Sequence, residues 1–240
     1  MKKTLSFFLT ALLLLALLSG CGANAPAPQP AEEQPVPAED VPVQSGASLL
    51  GGWTVPDSFA LTDENRPAFE NAVAELVGVN YEPLACLGTQ LVNGTNRAFF
   101  CRAQVVYPGA QPFFAIVYVY EALDGSAKIT DIESITPDGR FDENAGSAQA
   151  LTGGWTVPEE DGEALAAFEQ AAEKLLGVDY TPVAVMGQQV VSGMNYCLLC
   201  QARAVSPDAQ PYYCFVQVYR DLQGSAEIMK ITAIGDEEVS

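Results

Sequence analysis

The sequence predicts an α+β protein of two tandem domains, each a single helix packed across an antiparallel sheet of about four strands. Three observations lead there: the folded part of the chain is duplicated, each copy opens on one amphipathic helical segment, and each continues in segments whose apolar residues recur every second position.

The duplication is direct. Gly51-Gly52-Trp53-Thr54-Val55-Pro56 returns as Gly153-Gly154-Trp155-Thr156-Val157-Pro158, displaced by 102 positions. Later blocks are displaced by 99, Gln90-Leu91-Val92-Asn93-Gly94 against Gln189-Val190-Val191-Ser192-Gly193 and Leu123-Asp124-Gly125-Ser126-Ala127 against Leu222-Gln223-Gly224-Ser225-Ala226. The first copy therefore carries three extra residues ahead of its helix. Each copy is large enough to bury a core of its own. This sets domains at residues 48–135 and 151–235, with the Asp/Gly/Asn-rich stretch 136–150 as a linker.

Phe69, Ala72, Val73, Leu76 and Val77 in the first copy, and Phe168, Ala171, Ala172 and Leu175 in the second, fall at the i, i+3, i+4, i+7 spacing of one helix face. Gly78 and Gly177 follow the last periodic residue, the place for a left-handed C-terminal cap. After the helix, Tyr196, Leu198, Cys200, Ala202 and Ala204 alternate with Cys197, Leu199, Gln201 and Arg203, which predicts a half-buried strand with the even positions inward. Tyr212, Cys214, Val216 and Val218, matched by Phe113, Ala115, Val117 and Val119, line one face of the next. Asn93-Gly94 is a strong two-residue hairpin signal, and Ser192-Gly193 stands at the equivalent turn.

The N-terminus reads as an export signal, because Lys2 and Lys3 precede an apolar stretch, Leu5 to Leu18, that is short for a spanning helix. It closes on Leu18-Ser19-Gly20-Cys21, which resembles the lipobox of bacterial lipoproteins. The resemblance implies cleavage of residues 1–20 and acylation of Cys21, with palmitate-class chains holding the protein on the outer face of a bacterial membrane. Residues 21–47 are rich in Pro, Ala, Gln and Glu and read as a disordered stalk.

The formal charge of −19 becomes −21 once the signal takes Lys2 and Lys3, leaving 9 of the 11 basic side chains against 30 acidic ones. Such a surface repels phosphate backbones, which excludes nucleic acid as a partner. The chain has no histidine, so nucleophile–histidine hydrolytic centres are excluded and the commonest metal ligand is missing. The scattered Asp and Glu read as a solvated surface. The expectation is a monomer that is not an enzyme, with no cofactor and no metal.

The order of motifs resembles the cystatins, inhibitors of papain-like cysteine proteases. In both copies Gly-Gly and Trp precede the helix, and a Gln-x-Val-x-Gly hairpin follows it, Gln90/Val92/Gly94 and Gln189/Val191/Gly193. The second copy is closer, with Leu165-Ala166-Ala167-Phe168 similar to the helix motif of plant cystatins. The resemblance implies a wedge that fills a protease cleft reversibly, made by Gly51, Gly52, Gln90, Val92 and Gly94 in one copy and by Gly153, Gly154, Gln189, Val191, Gly193 and Leu222 in the other. It departs where the family carries Pro-Trp in its second hairpin: Ala122-Leu123 and Asp221-Leu222 stand there, and a missing Trp anchor costs about 2 kcal/mol or more. The alternative is a non-inhibitory binding or assembly module of the same fold displayed at the cell surface.

Five cysteines remain beside Cys21. A two-residue turn at Asn93-Gly94 would set Cys86 opposite Cys101, and Cys200 and Cys214 share one face of adjacent strands, so disulfides at either pair and buried thiols are both open. Cys197-x-x-Cys200 is not read as a metal site, because strand alternation sends the two sulfurs to opposite faces.

Overall fold

The computed structural model describes residues 52–147 and 153–234. Cys21, the signal and stalk, and Gly51 lie outside the described residues.

The class is mostly β, which corrects the expected pair of α+β domains. Helix α1 (Arg66–Val73) has 8 residues, and is followed by strands β1 (Val79–Val92), β2 (Gly94–Val105), β3 (Phe113–Glu121) and β4 (Ala127–Ile135). Helix α2 (Gly162–Ala172) has 11 residues, and leads to β5 (Val178–Val191), β6 (Gly193–Ala204), β7 (Tyr212–Arg220) and β8 (Ala226–Ala233). The strands form two four-stranded antiparallel meanders in the orders β1-β2-β3-β4 and β5-β6-β7-β8. Helices this short are minor pieces laid on a β frame.

The physical reason lies in strands that are apolar on both faces. Phe113-Phe114-Ala115-Ile116-Val117 is buried at every position, and so is Tyr196-Cys197-Leu198-Leu199-Cys200. A sheet with two apolar faces must be covered twice. The outer face of the first sheet, with Phe99, Cys101, Ala115, Val117 and Val119, takes Phe69 of α1, whose ring meets Phe99 edge-on at 5.2 Å. The outer face of the second, with Leu198, Cys200, Cys214 and Val216, takes Ala164, Ala167, Phe168 and Ala171 of α2. The inner faces cover one another. Ala85, Leu87, Phe100, Phe114 and Ile116 form one core with Met186, Cys197, Leu199, Tyr213 and Phe215. The two repeats thus share a hydrophobic core, and both sheets belong to a single compact unit.

Both helices stop earlier than their apolar period. Leu76 and Val77 lie beyond α1 and are exposed, Val77 at 89%. Gly78 keeps positive φ but heads β1, where its carbonyl accepts from Val106 N. Gly177 does the same for Val205 N at the head of β5. The chain spends these residues on entering the first strand, so they are not a helix cap.

The stretch expected as a linker packs against both sheets. Gln217 Nε2 donates to Asp138 O at 2.9 Å, the Phe141 ring stands 6.1 Å from Phe215, and a 3₁₀ turn (Ala145–Ser147) buries Ala145 against Ala103 and Phe113. On the other side the arm before α1 crosses to the second sheet, where Gln201 Nε2 donates to Pro56 O at 2.9 Å and Arg203 pairs with Asp57. These contacts fix how the sheets are stacked. Pro56 and Asp57 follow Thr54, which pairs with Thr89 near the hairpin end of β1, yet they meet the far end of β6. Pro137 follows the far end of β4, yet its carbonyl lies against Gly187, in the half of β5 next to its hairpin. The hairpin half of each sheet therefore lies over the base half of the other, and the two hairpin ends point away from each other.

Candidate functional site

In a meander, the β1–β2 and β3–β4 turns emerge at the same end, and this end carries the residues singled out in the sequence. In the first copy Val92 faces Gly94 across Asn93, which is alone at the apex. Gly94 has φ +124°, and a Cβ there would run into Glu121 O and come within 2.9 Å of the Tyr120 ring. Gly193 has φ +134°, and a Cβ there would meet Arg220 O and, at 2.9 Å, the Tyr219 ring. Only glycine lets the third strand pass so close behind the turn. The tyrosines in turn hold the apex: Tyr120 OH donates to Asn93 O at 2.5 Å and Tyr219 OH to Ser192 O at 2.6 Å.

The glutamines are clamped across their hairpins. Asn96 Nδ2 donates to Gln90 Oε1 at 2.7 Å and Asn195 Nδ2 to Gln189 Oε1 at 2.9 Å. Gln189 Nε2 then donates to Gly153 O at 2.9 Å, tying the glycine segment to the tip. The segment is held further by paired backbone bonds, Thr54 with Thr89 at 2.7 and 3.0 Å and Thr156 with Gln188 at 2.9 and 2.8 Å. Gly153 and Gly154, with Gln189, Val191 and Gly193, thus converge at one tip, and Gly52 stands two residues before Thr54 at the other.

The neighbouring turn is built for stiffness as well. Ala122 N donates to Ser126 O at 2.8 Å, and the Asp124 carboxylate accepts from Ser126 Oγ at 2.6 Å and Ser126 N at 3.0 Å. Those hydrogen bonds hold the Asp124 carboxyl below its ordinary range. In the second copy Asp221 accepts from Gln223 N at 2.9 Å and Ser225 N at 2.8 Å. Leu123 and Leu222 project from these corners, 84% and 79% exposed.

Sequence reasoning on the Gln-x-Val-x-Gly pattern missed the most exposed apolar residues of the first hairpins. Leu91 is 88% exposed and Val190 69%, against 44% and 43% for Val92 and Val191. Alternation carries no signal for them, because residues 85–88 of β1 and 185–187 of β5 are buried at both parities; what exposes Leu91 and Val190 is their place beside the turn, beyond those buried runs. The tryptophans are not at the tips: Trp53 and Trp155 pack at the margin of the shared core, Trp53 edge-on to Tyr118 at 5.6 Å.

The cysteine register differs from the expected one. Two bulges, at Pro83/Ala85 and Cys86/Gly88, shift the β1–β2 pairing, so Cys86 faces Phe99 and Cys101 faces Pro83. Cys86 and Cys101 are therefore offset and not opposed. Cys200 does face Cys214. All five described cysteines are buried and unbridged. Burial raises the thiol pKa of each, Cys214 to about 12, and at Cys86 it outweighs Arg97 and the Gly88 carbonyl. None is a poised nucleophile. Among the described residues no group of three or more His, Cys, Asp or Glu is placed to hold a metal. Compared with known proteins, the chain matches no family model and no curated protein.

Proposed function

We propose that the protein is a non-catalytic binder, anchored outside the cytoplasm through acylated Cys21, whose two hairpin tips enter clefts of partner proteins and occlude them. The observation that carries this reading is the pairing of exposed apolar side chains with rigid turns: Leu91 and Leu123 on one tip, Val190 and Leu222 on the other. Apolar side chains held in water on stiff loops lose little conformational freedom on binding, so more of their burial appears as affinity. Papain-like cysteine proteases are the partner class to test first, because both copies carry the glycine segment and the Gln-x-Val-x-Gly hairpin in the cystatin order. A non-inhibitory binding module is the second reading. It is favoured by the packing of Trp53 and Trp155 into the core, which leaves the tips without a large aromatic anchor.

The test is titration of papain and related proteases with the full-length protein, following residual activity. The double replacements Leu91→Asp with Leu123→Asp, and Val190→Asp with Leu222→Asp, are each expected to weaken inhibition at their own tip at least about tenfold. Gly193→Trp cannot serve, since even its Cβ would meet Tyr219 and the Arg220 carbonyl and distort the hairpin itself. Absence of inhibition at micromolar protein across several such proteases, or inhibition unchanged when both tips carry Asp, refutes occlusion and leaves the non-inhibitory reading.

A further inference from the structure

We infer that Cys200 and Cys214 form a cross-strand disulfide when the chain folds in an oxidising compartment, while Cys86, Cys101 and Cys197 remain thiols.

The register selects the pair. Cys200 and Cys214 are direct partners of β6 and β7, and both point to the α2 side of the sheet, where each is fully buried. Directly opposed residues of an antiparallel pair have Cα atoms about 4.5 to 5.5 Å apart, inside the roughly 4.4 to 6.8 Å that a disulfide spans. Every other combination fails on geometry, those between the sheets because Cys86 and Cys101 lie on the α1 side of the first sheet, away from the second. Cys197 faces the shared inner core, so it shares no face with Cys200 three residues on, nor with Cys214. Cys86 and Cys101 share the α1 side, but Cys86 faces Phe99, which puts Cys101 two positions along the partner strand. Such diagonal neighbours stand about 7 to 8 Å apart, beyond what a disulfide reaches without moving backbone. Their thiols donate instead to strand carbonyls, Cys86 Sγ to Gly88 O at 3.9 Å and Cys101 Sγ to Phe99 O at 3.6 Å.

The step balances as a dithiol–disulfide exchange. The two sulfurs form an S–S bond and give up two electrons and two protons, which reduce the disulfide of a thiol oxidoreductase, or of oxidised glutathione, to two thiols. Formation belongs to folding, before α2 covers the pair. Oxidation in the cell rests on the export reading; the choice of partners does not.

The test is differential alkylation. Full-length protein is taken from the cell envelope into N-ethylmaleimide, denatured without reductant and digested with trypsin. Three tags are expected, on Cys86, Cys101 and Cys197, with a linked pair of peptides spanning residues 175–203 and 204–220, against five after reduction, the further two on Cys200 and Cys214. Cys214→Ala should abolish the link and still fold, because Ala115 occupies the equivalent place opposite Cys101 in the first sheet. Cys197→Ala should keep the link, and it too copies the first sheet, which has Ala98 there. A link that survives Cys214→Ala, or is lost in Cys197→Ala, overturns the assignment. The same chain refolded from denaturant in a glutathione redox buffer separates pairing from export: five tags there overturn the pairing, whereas three tags there with five from the envelope uphold the pairing and overturn export.

Discussion

Replacing Leu199 by Ala tests whether the two repeats are one cooperative body. Leu199 belongs to the second repeat, is fully buried, and packs in the core that also holds Ala85, Leu87, Phe100, Phe114 and Ile116 of the first. Leu→Ala at such a site removes the transfer energy of the lost carbons and leaves a cavity between stiff sheets, a cost of about 2 to 5 kcal/mol. For a unit of this size each kcal/mol lowers Tm by roughly 2 to 4 °C, so a fall of about 4 to 20 °C is expected. The chain supplies one tryptophan per repeat, Trp53 and Trp155. Single-tryptophan variants, Trp53→Phe and Trp155→Phe, therefore report the two halves separately by fluorescence. With a shared core both reporters give one coincident transition, and Leu199→Ala moves both by the same amount. If the Trp53 transition stays in place while the Trp155 transition falls, the repeats are independent and the argument from the shared inner face is refuted.

Gly193→Ala is expected to cost more than about 1 kcal/mol, because it adds backbone strain at φ +134° to a clash with Tyr219 and the Arg220 carbonyl; a urea midpoint equal to that of the unsubstituted protein would refute the close passage behind the turn. Stability should be full below about pH 9 and fall as pH rises above it. Thiols of the unfolded chain ionise near 9.0, whereas burial keeps those of Cys101 and Cys197 protonated to much higher pH, so each contributes a loss of up to about 1.4 kcal/mol per pH unit. Tyr118, raised by burial and then by Glu133, adds to the loss above its ordinary value of 10.0. A urea midpoint that is constant from pH 7.5 to 10.5 would contradict this. Cys21→Ser should move the protein from the membrane fraction to the soluble fraction and leave inhibition by the tips unchanged, as read by fractionation and by the protease titration.

The order of elements was legible because each signal is local. The duplicated blocks, the helix stripe at Phe69 and Phe168, and the hairpin glycines all act within a few residues. The sharing of one core was not, although its trace is in the sequence. Phe113 to Tyr120 is apolar without a break, and the alternation that puts Phe113, Ala115, Val117 and Val119 inward leaves out Phe114 and Ile116, which are as buried as Ala115 and Val117. An unbroken apolar run means both faces are covered, and a lone helix covers only one. The expected opposition of Cys86 and Cys101 fails for a different reason. Counting outward from Asn93-Gly94 assumes a two-residue turn and a regular ladder; Asn93 alone at the apex shifts the register by one position, and the two bulges of β1 shift it by two more before Cys101 is reached. The bulges recur in β5, at Pro182/Ala184 and Val185/Gly187, but Cys200 and Cys214 lie on β6 and β7, whose register has no shift.

The stacking of the sheets also decides how the tips can work. Were the two repeats separate bodies on a linker, their tips would move independently and could converge on one partner. With the inner faces fused into one core, and with the hairpin half of each sheet over the base half of the other, the tips are held at opposite ends of a rigid body. Two exposed leucine corners in that arrangement cannot enter the same cleft. Under the proposed occlusion, the duplication would supply two separate contacts and no avidity toward a single cleft, because avidity needs both sites to reach one target at once. Differences between the tips would then act as separable specificities. The first carries Arg97 paired with Glu121 behind its hairpin at 3.0 Å, where the second has Tyr196 and Arg220 at the equivalent positions, with Arg220 reaching Glu163 of α2 at 3.8 Å. The two tips therefore differ in their supporting electrostatics, and under the proposed occlusion a replacement at one tip is expected to leave binding at the other unchanged.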